Sequence, residues 1–245
     1  MLLGDKRNAV LDLAEVEGYG RDAFGDPDFV SIYGLKPTDW YARGVRLLGR
    51  TAVECTRDRF GDLIGRDVAE LAARATGVSG SVVVDLFAGS GNTLYWITRH
   101  VQPERSVGFE LDDAVFGLTR ENLSITGFAI DVVHGGYEPG IRGLNIPDDA
   151  LVIVFISPPW GVALDEDTGL DLRRTTPPVS EIVDLAVGVF AQNKMLFAVQ
   201  AYELVDADSL AELTRRFDWS ALNVYDINPH AKNPGLILGT VGWTP

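Results

Sequence analysis

From Val78 to the C-terminus, short apolar runs alternate with helical stretches, and this alternation constrains the fold more than any other feature of the chain. The runs are Val82–Val84, Ser106–Phe109, Ala129–Val133, Leu151–Ile156, Lys194–Gln200, Ala221–Ile227 and Leu236–Val241. Helical stretches at Asn92–His100, Asp112–Ile125, Val179–Ala191 and Ala207–Phe217 fall between them. Uninterrupted apolar runs such as Val82-Val83-Val84 mark parallel strands buried on both faces. The alternation predicts an α/β fold, a mostly parallel seven-stranded sheet with helices on both faces. The last two runs have no helix between them and are joined through Asn228–Gly235, which predicts an antiparallel C-terminal strand.

Residues 1–77 read differently and are expected to form a partly helical N-terminal extension that caps the substrate site, with the main domain at 78–245. Residues 1–35 are acidic and glycine-rich, and Gly18 through Asp28 reads as loop or turn. A helix is expected from a Thr38 or Asp39 N-cap through Trp40, Val45, Leu47 and Leu48. A second is expected over Asp62–Thr76, ended by Gly77. The chain carries 21 basic and 35 acidic residues, a formal net charge of −14, so bulk DNA or RNA should be repelled unless its cations cluster. Cys55 alone makes no disulfide framework, and with His100, His134 and His230 it gives no metal-ligand spacing. The longest apolar stretch, Ala150–Ile156, is far short of a membrane span, and Met1–Arg7 has no signal-peptide pattern. A cytoplasmic protein without a membrane partner is the expectation; the oligomeric state is not legible.

Two strand ends carry the chemistry. Asp85-Leu86-Phe87-Ala88-Gly89-Ser90-Gly91-Asn92-Thr93 follows the first buried strand and opens a helix. Open α/β sheets bind ligands at such carboxyl ends. Leu94 stands where a dinucleotide fingerprint has its third glycine, which weakens a pyrophosphate reading. Glu110 ends the next strand, where a carboxylate can accept hydrogen bonds from both hydroxyls of a ribose. A nucleoside cofactor without phosphates fits, S-adenosylmethionine being the common one.

The fourth strand ends in Ser157-Pro158-Pro159-Trp160-Gly161. Two prolines fix the backbone and remove two donors, and Ser157, before a proline, is forced extended. The result is a rigid ledge with a hydroxyl, the Pro158 carbonyl and an aromatic ring. Two fixed acceptors, Ser157 and Pro158, can hold both N–H bonds of a flat exocyclic amine and favour its pyramidal form, while Trp160 stacks on the base.

These motifs together resemble class I S-adenosylmethionine-dependent methyltransferases with their Rossmann-like fold, over about residues 78–245. The resemblance is strongest to the RNA cap guanine-N2, or trimethylguanosine synthase-like, family, which carries a similar Val-Asp-x-Phe-x-Gly-x-Gly-Gly-Asn-Thr loop and a Ser-Pro-Pro-Trp-Gly motif. Leu170-Asp171-Leu172 resembles its Phe-Asp-Leu-type segment. The resemblance implies an N-methyltransferase acting on an exocyclic amine of a guanine-like base, in an RNA cap or a nucleotide. It implies cofactor contacts from Asp85, Phe87, Ala88, Gly89, Gly91, Asn92, Thr93, Glu110, Leu111 and Gly136, although His134-Gly135-Gly136-Tyr137 stands where the family has Gly-Asp. Ser157, Pro158 and Trp160 take the catalytic places, and no metal is implied.

Substrate contacts are expected from Pro159, Trp160, Trp40 and Arg173. Trp40 and Tyr41 are candidates for the opposite wall of an aromatic sandwich, with core packing as the alternative. Arg43, Arg46 and Arg50, spaced i, i+3 and i+7, would form a basic stripe, with Arg57, Arg59 and Arg66 extending it and Arg174 beside Arg173. A phosphate clamp and a solvated helix face are both open readings. The acidic run Asp165-Glu166-Asp167 beside the ledge would suit a cationic small molecule or be a solvated loop. Two alternatives to a nucleotide or capped-RNA acceptor therefore stand: small-molecule N-methylation in specialised metabolism, and a non-catalytic module of the same fold that binds a partner. His230 reads as structural.

Overall fold

The structure, a computed structural model, describes residues 4–165, 167–227 and 233–245. Glu166, His230 and most of the expected turn at Asn228–Gly235 lie outside the described residues. In chain order the elements are α1 (Leu13–Phe24), α2 (Pro37–Ala42), α3 (Gly49–Glu54), α4 (Asp58–Ala72), β1 (Ser81–Asp85), α5 (Asn92–Val101), β2 (Arg105–Glu110), α6 (Asp113–Thr126), β3 (Asp131–His134), α7 (Tyr137–Arg142), β4 (Leu151–Ile156), β5 (Leu164–Asp165), β6 (Gly169–Leu170), α8 (Val179–Val189), β7 (Lys194–Tyr202), α9 (Ala207–Thr214), β8 (Trp219–Val224) and β9 (Pro234–Val241). Seven strands form one sheet in the order β3-β2-β1-β4-β7-β9-β8. β1 pairs in parallel with both β2 and β4, and β9 runs antiparallel to β7 and β8. The expected α/β architecture is the observed one, including its antiparallel C-terminal strand, β9, which lies between β7 and β8.

Alternation along the central strands sorts their side chains onto two faces. Val83, Ile153, Phe155, Leu196, Ala198 and Leu238 share one apolar core with Leu11, Val16, Trp40, Ile64 and Leu94. Val84, Val152, Val154, Phe197 and Ile237 share the other with Ile141, Ile182 and Leu213. The N-terminal residues thus pack directly on one face of the sheet. α4 lies close on α5: a Cβ on Gly61 would sit 2.6 Å from Trp96, and one on Gly65 2.6 Å from His100. Only hydrogen at those two positions permits the approach.

Three expectations for the first 77 residues are corrected. Gly18–Asp28 is not all loop, because α1 runs through Gly18 and Gly20. Asp12 caps it and Glu15 bonds back to the Asp12 N–H, a capping box that outweighs the two glycines. The helix begun at Pro37 does not reach Leu48; it ends at Ala42, and Gly44 turns the chain at φ +96°. The second expected helix starts earlier, at Asp58, and closes at Ala72, with Gly77 beyond its end.

Candidate functional site

Strand order reverses between β1 and β4, whose carboxyl ends lie side by side: Asp85 pairs with Phe155, and the Leu86 N–H donates to the Phe155 carbonyl at 3.1 Å. A crevice outside such a switch point is where open α/β sheets take ligands. The loop after β1 turns through Gly89 (φ +52°) and Gly91 (φ +73°), both left-handed. A Cβ on Gly89 would find no atom nearer than 4.0 Å, so that backbone borders open space; one on Gly91 would touch Thr119 at 3.6 Å, inward against α6. The Glu110 carboxylate at the end of β2 accepts the Gly89 N–H at 2.9 Å and the Asp112 N–H at 2.8 Å. Its remaining lone pairs stay open to further donors.

Asp85 is buried, and its side chain accepts the Phe87 N–H at 3.0 Å. Burial pushes its carboxyl up to about 7; the Phe87 bond opposes that rise and the Glu110 charge adds to it. A carboxylate so placed favours a cation beside it. Leu111, directly after Glu110, is 74% exposed, a large apolar side chain at the lip of the same strand end. Phe87 packs against Tyr137 with ring centroids 5.2 Å apart, and Gly136 caps the helix that Tyr137 begins. Ala88 and Thr93 are buried.

Asn92 has another role than the expected cofactor contact. Its Oδ1 accepts the Tyr33 N–H at 2.7 Å, and its Nδ2 donates to the Thr56 carbonyl at 2.8 Å and to Asp58 Oδ1 at 3.1 Å. The side-chain amide is thereby committed to the N-terminal segment. Asp58 also accepts from Trp96 Nε1 at 2.7 Å and from the Gly34 N–H at 2.9 Å. The Tyr33 hydroxyl donates to the Ser90 carbonyl inside the loop itself. Burial raises the carboxyl of Asp58, and these bonds oppose the rise.

Beyond β4, Ser157 is half-buried, Pro158 buried, Pro159 exposed and Trp160 half-buried. The Pro158 carbonyl accepts no hydrogen bond among the described residues. The Trp160 ring meets Tyr202 edge-on, centroids 6.1 Å apart, and the Trp160 carbonyl accepts the Ala163 N–H at 2.8 Å in a short 3₁₀ turn. The ledge runs on into the β5–β6 hairpin, where Asp165 and Asp167 are exposed. Sequence reasoning missed Gln200, whose Oε1 accepts from Ser157 Oγ at 3.2 Å. Nothing in the local pattern marks it; only the register of β4 on β7 brings it there.

Trp40 is not an open aromatic wall. It is fully buried, with Nε1 donating to the Val30 carbonyl at 3.0 Å. Tyr41 is half-buried, with the Arg46 guanidinium 3.6 Å above its ring. The basic stripe does not form, because Arg43 and Arg46 lie in the turn between α2 and α3 and only Arg50 is helical, on α3. Arg50 instead pairs with Asp112, Arg66 with Asp62, and Arg57 lies 4.1 Å over the Phe29 ring. Arg173 is held by Asp171 and Asp206, both at 2.8 Å. Among the described residues no cluster of His, Cys, Asp and Glu could hold a metal ion, and no helix is long and apolar enough to cross a membrane.

No protein-family model matches the chain, and no curated protein matches it in sequence. Solved structures do. The METTL16 MTase domain aligns with TM-score 0.53 at 13% identity, over 93% of this chain and 78% of that one. Cofactor-bound Rv0187 from MTB aligns with TM-score 0.51 at 12% identity, over 94% and 97%. Precorrin-6y C5,15-methyltransferase from Geobacter metallireducens GS-15 aligns with TM-score 0.51 at 16% identity, over 78% and 91%. At such identities the likeness is one of fold: the chain has the Rossmann-like fold of the class I methyltransferases. None of the three is named as a cap guanine-N2 methyltransferase.

Proposed function

We propose that the protein is an S-adenosylmethionine-dependent methyltransferase that methylates an amino nitrogen, with an exocyclic amine of a guanine-like base as the acceptor class. One observation carries the reading: the Ser157–Pro158 ledge and the Asp85–Gly91 loop leave adjacent strands at the switch point of the sheet. The residues present fit the cofactor. Glu110, held by two backbone N–H groups, is suited to ribose hydroxyls; Gly89 leaves room for close approach; Leu111 offers apolar surface; and Asp85 favours a cation. S-adenosylmethionine supplies a methyl group on a positively charged sulfur.

The chain's part in the transfer is orientation. The substrate N–H bonds donate to Ser157 Oγ and to the Pro158 carbonyl, which has no other donor among the described residues. Both acceptors are fixed before substrate arrives, so the pyramidal nitrogen of the transition state is stabilised without reorganisation. Trp160 sets the plane of the ring by stacking, worth about 1–3 kcal/mol per base. Ser157 is too weak a base to take the proton in advance, so the proton leaves to water after the new N–C bond forms.

A second reading, a cationic small-molecule amine, is favoured by the exposed Asp165 and Asp167 beyond the ledge and by the net charge of −14. One screen separates the two. Guanosine nucleotides, short capped RNAs and amine metabolites are incubated with methyl-labelled cofactor and read by mass spectrometry. Label on capped RNA or a guanosine nucleotide supports the first reading, and label confined to amine metabolites supports the second. No heat with S-adenosylmethionine in calorimetry would leave the partner-binding module as the reading.

A further inference from the structure

Ile156 at the end of β4 pairs with Val199 on β7, so the next residues along, Ser157 and Gln200, lie side by side. Gln200 Oε1 accepts two hydroxyl protons, from Ser157 Oγ at 3.2 Å and from Thr56 Oγ1 at 2.8 Å. A serine hydroxyl has one proton, two lone pairs and a freely turning O–H bond. Left alone beside an amine, it can act as donor or acceptor. As donor it would turn its proton onto the nitrogen lone pair, the pair that must attack. Proline carbonyls carry no such ambiguity, so of the two acceptors on the ledge only Ser157 needs its direction fixed.

We propose that Gln200 is a positioning residue that commits the Ser157 proton to itself and so leaves only lone pairs of Ser157 Oγ facing the amine. The proposal rests on the N-methyl reading above and deepens it. Thr56 braces Gln200 from the N-terminal segment, and the Thr56 carbonyl accepts Asn92 Nδ2 at 2.8 Å. The amine ledge and the glycine loop are thereby joined through two residues outside both, Gln200 and Thr56. A carboxamide or carboxylate oxygen at position 200 accepts both protons; an alkyl group accepts neither.

The test is a cycle of Gln200→Leu, Gln200→Glu, Thr56→Val and Ser157→Ala, assayed on the acceptor found in the screen. Gln200→Leu is expected to lower kcat about tenfold, the loss of one half-buried hydrogen bond, with acceptor KM and cofactor Kd within about twofold of wild type. Gln200→Glu should restore most of that loss. In a Ser157→Ala background, Gln200→Leu should cost nothing further, because the group it directs is gone. Losses that multiply, or a cofactor Kd that weakens as much as kcat falls, would overturn the role. A measurement independent of turnover guards against a poorly folded variant. The side-chain amide NMR signal of Gln200, identified by its absence from Gln200→Glu, should shift in both Ser157→Ala and Thr56→Val; an unmoved signal overturns the contact. Should wild type label nothing in the panel, the transfer reading falls and this role falls with it. Labelling by wild type with multiplying losses overturns the role of Gln200 alone.

Discussion

Asn92, after β1, has its side-chain amide tied to three residues of the N-terminal segment, whereas Trp160, after β4, leans on one neighbouring ring beside an exposed proline. Both loops leave the carboxyl end of the sheet, from adjacent strands. The first is clamped by Tyr33, Thr56 and Asp58 and closed by Glu110. The second runs into a hairpin whose two strands are two residues each, with Asp165 and Asp167 exposed. A site that takes one invariant nucleoside and one acceptor would be built this way. On the proposed reading, the groups that meet the constant partner, Glu110 above all, are clamped in place, while the side facing the variable partner is left to proline stiffness and a single directed hydroxyl.

The largest expected effect falls on the ledge. Ser157→Ala should lower methyl transfer about 100-fold or more, the scale of removing one preorganised polar contact in a transition state, while calorimetry finds cofactor affinity unchanged. Equal loss of both would erase the distinction between the two loops. On the other side, Asn92→Ala should destabilise the protein by about 2–4 kcal/mol in chemical denaturation, because it strands buried partners on the N-terminal segment. The same variant should open residues near Tyr33 to limited proteolysis.

A smaller, pH-dependent effect belongs to Asp85. Its carboxyl titrates at about 7 in the fold against an ordinary value of 3.8, so the fold prefers the neutral form. The stability it contributes is complete below the ordinary value and is lost as pH rises through about 7. Asp85→Asn should remove that decline from denaturation midpoints measured between about pH 4 and 8. A cationic ligand prefers the ionised form, so wild-type affinity for S-adenosylmethionine should rise about tenfold from about pH 6 to 8, and the variant should show no such slope. The smallest effect on stability is that of Gly89→Ala, about 1 kcal/mol for a left-handed residue. Its Cβ would enter open space, so cofactor affinity should fall more than stability does. If the melting temperature moves and affinity does not, the loop is only a turn.

How much of this was legible divides along the same line. Central strands announce themselves because a strand covered on both faces has to be apolar throughout; Leu151–Ile156 is buried at every position and was located to the residue. The glycine loop and the diproline ledge are contiguous in sequence, so their chemistry is written locally. The N-terminal segment is different. Gly20 looks like a helix breaker, yet it sits in α1 because a Cβ there would meet the Asp26 carbonyl at 2.4 Å. Gly61 obscured the true start of α4 for a related reason, its contact with Trp96. Trp40 pointed to an aromatic wall by residue type alone, and only the packing assigns it to the core. Gln200 was invisible because its meaning lies in the pairing of β4 with β7, forty-three positions away from Ser157.

The bond from Thr56 to Gln200 spans 144 positions in sequence. A ribosome delivers Thr56, Tyr33 and Asp58 long before the strand that carries Gln200, and at about 5–20 residues per second the wait is on the order of ten seconds. During that interval the emerging amino-terminal helices can settle on β1 and α5 but have nothing to brace at the ledge. On the proposed reading, the acceptor side of the crevice is therefore the last part of the site to be assembled, and a nascent chain paused before β7 would hold the glycine loop and Glu110 beside an unaimed hydroxyl.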